Sequence, residues 1–252
     1  MSILISPHKN SQIHNLISGK TPVIEIPDVL SKSECVLLCD EISKDYSTSS
    51  GPGLTTKIGT SLSSHIYDKA NYFSNAQNSN QFIQNLFSHT ISPIDKMHKI
   101  LEHLFQKKIS TATEYDMKYS DCLIRIHKNG DSVHVHRDNC NFEMSEYLVS
   151  EYRNQLSAIL YLQSPQSGGE LTIYDKQWCK DDECQRNPDF GYSSDVVDDV
   201  EHVTIRPIPG NLVLLNPNYY HKIGSICGPK PRISIGFFFA ESSSENNLYC
   251  WS

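Results

Sequence analysis

No stretch of the 252 residues is apolar over the roughly 20 positions that a membrane-spanning helix needs, so an integral helical membrane protein is excluded. The first fifteen residues, MSILISPHKNSQIHN, lack the apolar centre of a secretory signal, and the chain reads as cytosolic. Basic residues are in deficit, with a net charge of −7 at pH 7. A chain of that sign is a poor non-specific ligand for nucleic acid. The eight cysteines are scattered, which does not suggest the disulfide framework of a small secreted domain. Cys179 and Cys184 could share a zinc ion, but no second Cys or His pair stands at finger-like spacing.

What remains is an ordinary globular composition, 38% hydrophobic and 20% charged, in a chain long enough to bury a core as one domain over residues 1–252. Charge is unevenly placed. Residues 175–201 hold nine acids and three bases, so the rest is close to neutral.

The first 112 residues read as mainly helical support. PVIEIPDVL, residues 22–30, alternates like a short strand. Ser31 followed by Glu34 is a capping box that opens an amphipathic helix. Residues 46–64 are rich in Ser, Thr and Gly and read as a long loop. Residues 80–105 carry helical periodicity interrupted at Pro93, which predicts two helices. From about residue 113 the pattern becomes short strands: 122–127, 133–136, 156–163, 170–174, 203–206, 211–215 and 233–240, several divided by Gly-containing turns. The expected fold class is α+β, a double-stranded β-helix (jelly-roll) barrel over 113–252 buttressed by the N-terminal helices.

Three features converge on one chemistry. In His136-Arg137-Asp138 the His and Asp are two apart, so a strand points both to one face. His221 follows 85 residues later, after NLVLL and NPNYY. Two imidazoles and one carboxylate form the facial set that suits iron(II) and leaves the opposite positions open. Arg232, eleven residues on, shares a strand face with Ser234. A guanidinium fork with a nearby hydroxyl suits a carboxylate, as at the far end of 2-oxoglutarate. His134 shares the face of His136 but has no Asp two residues on.

Those residues carry a resemblance. LIRIHKNGDSVHVHRD, LSAILYLQSPQSGGELTIYD and IPGNLVLLNPNYYHKIGSICGPKPRISIGFF resemble the prolyl-hydroxylase-like branch of the 2-oxoglutarate/Fe(II) oxygenase superfamily. VHVHRDNCNF, GGELTIYDKQW, the acidic insertion and the final LYCWS are similar to the carrier-independent aliphatic halogenases and their hydroxylase relatives, which act on free amino acids and indole alkaloids. The resemblance implies Fe(II), 2-oxoglutarate and O2 as cofactor and co-substrates. His136, Asp138 and His221 would be the metal ligands, and Arg232 and Ser234 the carboxylate clamp. His127 stands where many relatives carry a Tyr that touches 2-oxoglutarate; it would donate the same hydrogen bond or simply pack. Halogenases carry Gly or Ala where this chain has Asp138, and chloride takes the vacated iron position. Asp138 therefore implies hydroxylation, or another oxygenative outcome such as desaturation.

Substrate is less legible. Asn139, Phe142, His134 and, by resemblance, Trp251 are candidates for contact, with C-terminal packing the alternative for Trp251. The insertion 176–202 reads as a lid that draws a cationic small molecule through Asp181, Asp182, Glu183, Asp198 or Asp199, or as a solvated loop. A peptidyl hydroxylase and a non-catalytic metal-binding jelly roll are the competing functions. The first would need an open groove; the second has no use for the Arg232 clamp.

Overall fold

A computed structural model describes residues 3–4, 9–45, 56–242 and 246–252. Two sheets face each other. The larger has nine strands among the described residues; its central path runs Val23–Ile26, Leu212–Leu215, Arg153–Gln163, Arg232–Glu241, Asn247–Trp251 and Lys108–Thr111. Leu123–His127 pairs with the first half of Arg232–Glu241, and Thr56–Ile58 pairs beyond it. The smaller sheet runs His202–Ile205, Leu171–Gln177, Tyr219–Ile223, Val133–His136. This is the expected jelly roll.

Strand alternation sorts the large sheet into two faces. One face, with Ile124, Ile126, Leu160, Leu214, Ile235 and Phe237, packs on helices Lys9–Ile17, Lys32–Asp45, Lys69–Leu86 and Pro93–Phe105 through residues such as Leu16, Leu38, Ile83 and Leu101. Burying these side chains contributes roughly 1.5–3 kcal/mol each, so the helices hold the sheet rigid from behind. The other face meets the small sheet: Tyr161, Val213 and Leu215 pack on Leu171, Ile173 and Tyr219. Polar side chains of the same face, Arg125, His127, Arg232 and Ser234, are thereby drawn into the barrel.

Local chemistry sets the element ends. Ser31 and Glu34 complete the capping box reciprocally: the Ser31 amide donates to Glu34 Oε2 at 2.8 Å and the Glu34 amide to Ser31 Oγ at 3.3 Å. Pro93 opens its helix, with Ser92 as the N-cap. Gly168 lies at φ +76°, where an added Cβ would sit 1.9 Å from the Ser225 carbonyl oxygen, so only glycine allows this hairpin to close on its neighbour.

Several expectations shift. The two helices read over 80–105 are present as Lys69–Leu86 and Pro93–Phe105, but the first starts eleven residues earlier than expected. Of the expected loop 46–64, residues 46–55 lie outside the described residues, and its remainder holds Thr56–Ile58 and a 3-10 turn at Leu62–Ser64. The strand Tyr219–Ile223, which carries His221 at its centre, was not anticipated, nor were Lys108–Thr111 and Asn247–Trp251. The N-terminal part therefore supplies strands to the large sheet as well as helices. All eight cysteines are free thiols. Among the described residues no helix is long and apolar enough to cross a membrane.

Candidate metal centre

His221 sits directly opposite His136 in the antiparallel pairing of Tyr219–Ile223 with Val133–His136. Side chains opposite one another share a face, and the two imidazoles lie with centroids 4.1 Å apart. Asp138 lies just beyond its strand, where its amide donates to the Pro217 carbonyl at 2.9 Å. That anchor returns the carboxylate toward the histidines, with Asp138 Oδ2 3.4 Å from His221 Nε2. One potential ligand atom from each of the three lies within 4.8 Å of the others, and no other such group occurs among the described residues. Cys179 and Cys184 do not form one.

Tautomers are set by the backbone. His136 Nδ1 lies 2.8 Å from the His134 carbonyl and His221 Nδ1 2.9 Å from the Tyr219 carbonyl. A carbonyl only accepts, so Nδ1 carries the proton and the Nε2 lone pair is free for a metal. Burial, then the neighbouring His221, pushes His136 down to about 4, so it is neutral at pH 7. Burial pushes the Asp138 carboxyl up, but the adjacent His221 and His136 and the more distant Arg125 outweigh it and hold it at about 2. Two neutral nitrogens and a carboxylate on one side of a point fit iron(II).

Behind this group Arg232 is 1% exposed, yet no carboxylate among the described residues pairs with it. Its NH1 lies 3.4 Å from Ser234 Oγ and 3.4 Å from His127 Nδ1, and its Cζ lies 5.0 Å from the centre of the Tyr161 ring. Arg232 Nε and the Tyr161 hydroxyl are buried without a well-formed hydrogen bond. A buried guanidinium without an anion is costly, and its open donors fit a ligand carboxylate. Burial, then Arg232 and Arg125, pushes His127 down to about 2, so its neutral ring accepts from Arg232 at Nδ1 and keeps a donor at Nε2.

The remaining candidates separate. Asn139 caps the short helix Cys140–Glu143 and donates to Asn218 Oδ1 at 3.1 Å. It lines a cleft of about 390 Å³ beside Asp138 that is rimmed by Asn and Gln side chains. Phe142 packs on Trp178 at 4.7 Å and lies 5.0 Å from the Arg137 guanidinium. His134 is exposed and contributes its carbonyl rather than its ring. Trp251 is fully buried in an aromatic cluster with Tyr72, Tyr119 and Tyr147, and its Nε1 donates to Cys140 Sγ at 3.3 Å.

The acidic insertion is pinned in place. Glu183 accepts from Trp178 Nε1 at 2.7 Å, Tyr192 OH at 2.6 Å and Arg186 Nε at 2.8 Å. Arg137, the middle residue of His-Arg-Asp, points the other way from its neighbours and sits 4.1 Å from the Trp178 ring and 3.4 Å from Glu183. Asp182 is held by Lys176 at 2.8 Å and Tyr220 at 3.0 Å. This network brings the Phe190 ring to 5.1 Å from His136.

Sequence reasoning did not single out Phe190, Tyr161 or Arg125. Arg125 was discoverable, because it lies two before His127 on the same strand face. Nothing local marked Phe190, whose placement depends on long-range pairing of the insertion.

The profile of the carrier-protein-independent halogenase WelO5 family matches residues 4–252. The chain belongs to this family. Leucinostatins biosynthesis cluster protein S of Purpureocillium lilacinum is 25% identical over 180 residues, 69% of this chain and 73% of that protein. The L-γ-glutamyl-L-propargylglycine hydroxylase of Streptantibioticus cattleyicolor is 28% identical over 123 residues, 48% of this chain and 45% of that protein. Among solved structures, an N-substituted L-amino acid dioxygenase of Burkholderia ambifaria shares the fold with a TM-score of 0.67 at 13% identity, over 96% of this chain and 91% of that one. Against the halogenase family name stands the Asp138 carboxylate, 3.4 Å from His221.

Proposed function

We propose that this protein is an Fe(II)- and 2-oxoglutarate-dependent dioxygenase that hydroxylates an aliphatic C–H of a free small molecule. The carrying observation is the carboxylate of Asp138 within reach of both His136 and His221. A carboxylate there takes the position that a halogenase leaves for chloride, so oxygen transfer is the outcome. Iron(II) with O2 supplies the oxidising chemistry: 2-oxoglutarate becomes succinate and CO2, one oxygen atom enters succinate, and the other enters the substrate C–H bond.

The chain's own residues do the rest. His136, His221 and Asp138 hold the metal from one side. Arg232 and Ser234 grip the distal carboxylate of 2-oxoglutarate, and His127 braces the guanidinium. Phe190 and the insertion shield the reacting atoms from water, which the protein must do for a strong oxidant. The hydroxylase relative that acts on a γ-glutamyl amino acid supports a substrate of amino-acid type. A peptidyl substrate is disfavoured by the pinned insertion beside the centre, and a passive metal binder by the unpaired guanidinium. The carboxylates of Asp182 and Glu183 are already engaged, so they offer a cationic substrate little.

The test is succinate release with Fe(II) and 2-oxoglutarate against free amino acids, amines and alkaloids, with chloride present and absent. Hydroxylated product with no dependence on chloride is expected. Chlorinated product from the unmodified chain overturns the reading.

A further inference from the structure

One charged group inside the barrel has no task in the reaction as described. Arg125 lies at the centre of Leu123–His127, with Ser234 opposite it in one register and Lys57 in the other. Alternation puts its side chain on the face of His127, Arg232 and Ser234, since Ile124 and Ile126 on either side pack on the helices. Its guanidinium lies over Gly236, where an added Cβ would stand 3.5 Å from its NH1. The absence of a side chain at that position leaves the guanidinium its room. Its charge is felt at Asp138, His136 and His127. Yet among the described residues it makes no hydrogen bond or ion pair; burial disfavours its charged form, and Asp138 is the carboxylate whose field favours it.

Formal charge sharpens the point. Iron(II) and the 2-oxoglutarate dianion cancel, and the single carboxylate of Asp138 stands against two guanidinium groups, Arg125 and Arg232, with Lys57 of the same sign beside Arg125, so positive charge is in excess. A cation in a partly desolvated cavity without a counterion is unfavourable, and a bound anion removes the penalty.

We infer that the primary substrate carries a carboxylate and that Arg125 binds it, orienting the target C–H toward the metal. The inference rests on the oxygenase reading above and sets the sign of the substrate, against the cationic ligand that the acidic insertion suggested from sequence. Arg125 is a specificity residue. Two forked N–H donors receive two carboxylate oxygens, which fixes direction as well as affinity.

The experiment uses the full chain loaded anaerobically with Fe(II) and 2-oxoglutarate, whose visible charge-transfer band reports the co-substrate on the metal. Matched pairs are added: L-lysine with cadaverine, L-phenylalanine with phenethylamine, L-leucine with isopentylamine. Carboxylate members are expected to perturb the band and the amines to leave it unchanged. In Arg125→Gln the band should form with 2-oxoglutarate affinity within about twofold of wild type, while the response to amino acids weakens by at least tenfold. Arg125→Lys, which keeps the charge, should recover part of it and controls for a folding defect. A response to amines equal to that of the acids, or to neither, overturns the inference while the oxygenase reading stands. So does a loss of 2-oxoglutarate binding in Arg125→Gln, which would make Arg125 part of the co-substrate clamp. Absence of the band in wild type removes the oxygenase reading and this one with it.

Discussion

His136 and His221 face one another across adjacent antiparallel strands, their ring centroids 4.1 Å apart and each Nδ1 tied to a carbonyl of its own strand. Burial, then the neighbouring ring, makes His136 resist protonation. With His136 held at about 4, the unfolded chain binds more protons than the folded one between pH 6.5 and 4. Metal-free protein should therefore lose stability as pH falls through that window. Fe(II) should raise the melting temperature at pH 7 by binding only the folded state. Asp138→Ala should abolish succinate formation and weaken the metal by at least about tenfold, a conservative figure given that outer partners of ligands alone are worth about 10–100-fold. Melting curves with and without Fe(II), at several pH values, check the stability and metal effects, and a succinate assay checks activity; an unchanged metal response in Asp138→Ala removes the carboxylate from the metal centre.

Arg232 has opposite effects on stability and on binding. It is buried with no anion of the protein's own beside it, so Arg232→Met should leave the ligand-free protein as stable as wild type or more stable, by about 1 kcal/mol. The same change should raise the KM for 2-oxoglutarate by about 10–100-fold, since a charge-assisted hydrogen bond is worth about 1.5–3 kcal/mol. Ser234→Ala should cost only a few-fold. Denaturant melts of ligand-free protein beside 2-oxoglutarate titrations read both quantities. A variant that is destabilised and still binds 2-oxoglutarate normally would make Arg232 structural.

How much of this was legible in the sequence follows from which signals are local. The grouping of His136, Asp138 and His221, the shared face of Arg232 and Ser234 and most barrel strands rest on residue spacing and on alternation, so they could be read directly. Tyr219–Ile223 escaped because its neighbours Asn216, Pro217 and Asn218 read as a turn and the polar His221-Lys222 broke the apolar run. Lys108–Thr111 is a short edge strand of mixed polarity, held by parallel pairing to the last strand, which no local pattern encodes. The engaged state of Asp182 and Glu183 could not be read either, since it depends on Tyr220 and Arg137 arriving from outside the insertion and on how the insertion folds on itself. Composition saw an acidic loop; the folded chain ties two of its nine acids, Asp182 and Glu183, into a network with Lys176, Arg186 and Arg137.

Glu183 is the knot of that network. Burial pushes its carboxyl up, but hydrogen bonds from Arg186, Tyr192 and Trp178 outweigh this and hold it at about 2. A folded value below the ordinary 4.5 means stabilisation that is complete above pH 4.5 and is lost as pH falls toward 2. Glu183→Gln should flatten that acid limb and loosen the insertion. The Trp178 indole then faces a neutral amide in place of a carboxylate, so the change should register in tryptophan fluorescence. Substrate KM should rise by several-fold while iron content stays constant. A variant with unchanged fluorescence and KM would show that the insertion holds without Glu183.

Two aromatic residues near the centre should respond in opposite ways. Trp251 is fully enclosed, and Trp251→Ala should destabilise the fold by about 3–5 kcal/mol through the cavity it leaves, with little change in KM for 2-oxoglutarate in the protein that remains folded. Phe190 is half exposed with its ring 5.1 Å from His136, so Phe190→Ala should change stability by less than about 1 kcal/mol. Its effect should fall on chemistry, because the shield over the reacting atoms is thinned. The ratio of succinate released to product formed should rise, as oxidant formed beside the substrate is lost to side reactions. Measuring that ratio together with the unfolding free energy of both variants separates a packing role from a shielding role. If Trp251→Ala uncouples succinate from product while keeping its stability, the C-terminal Trp belongs to the substrate pocket after all, and the aromatic cluster around it must open during turnover.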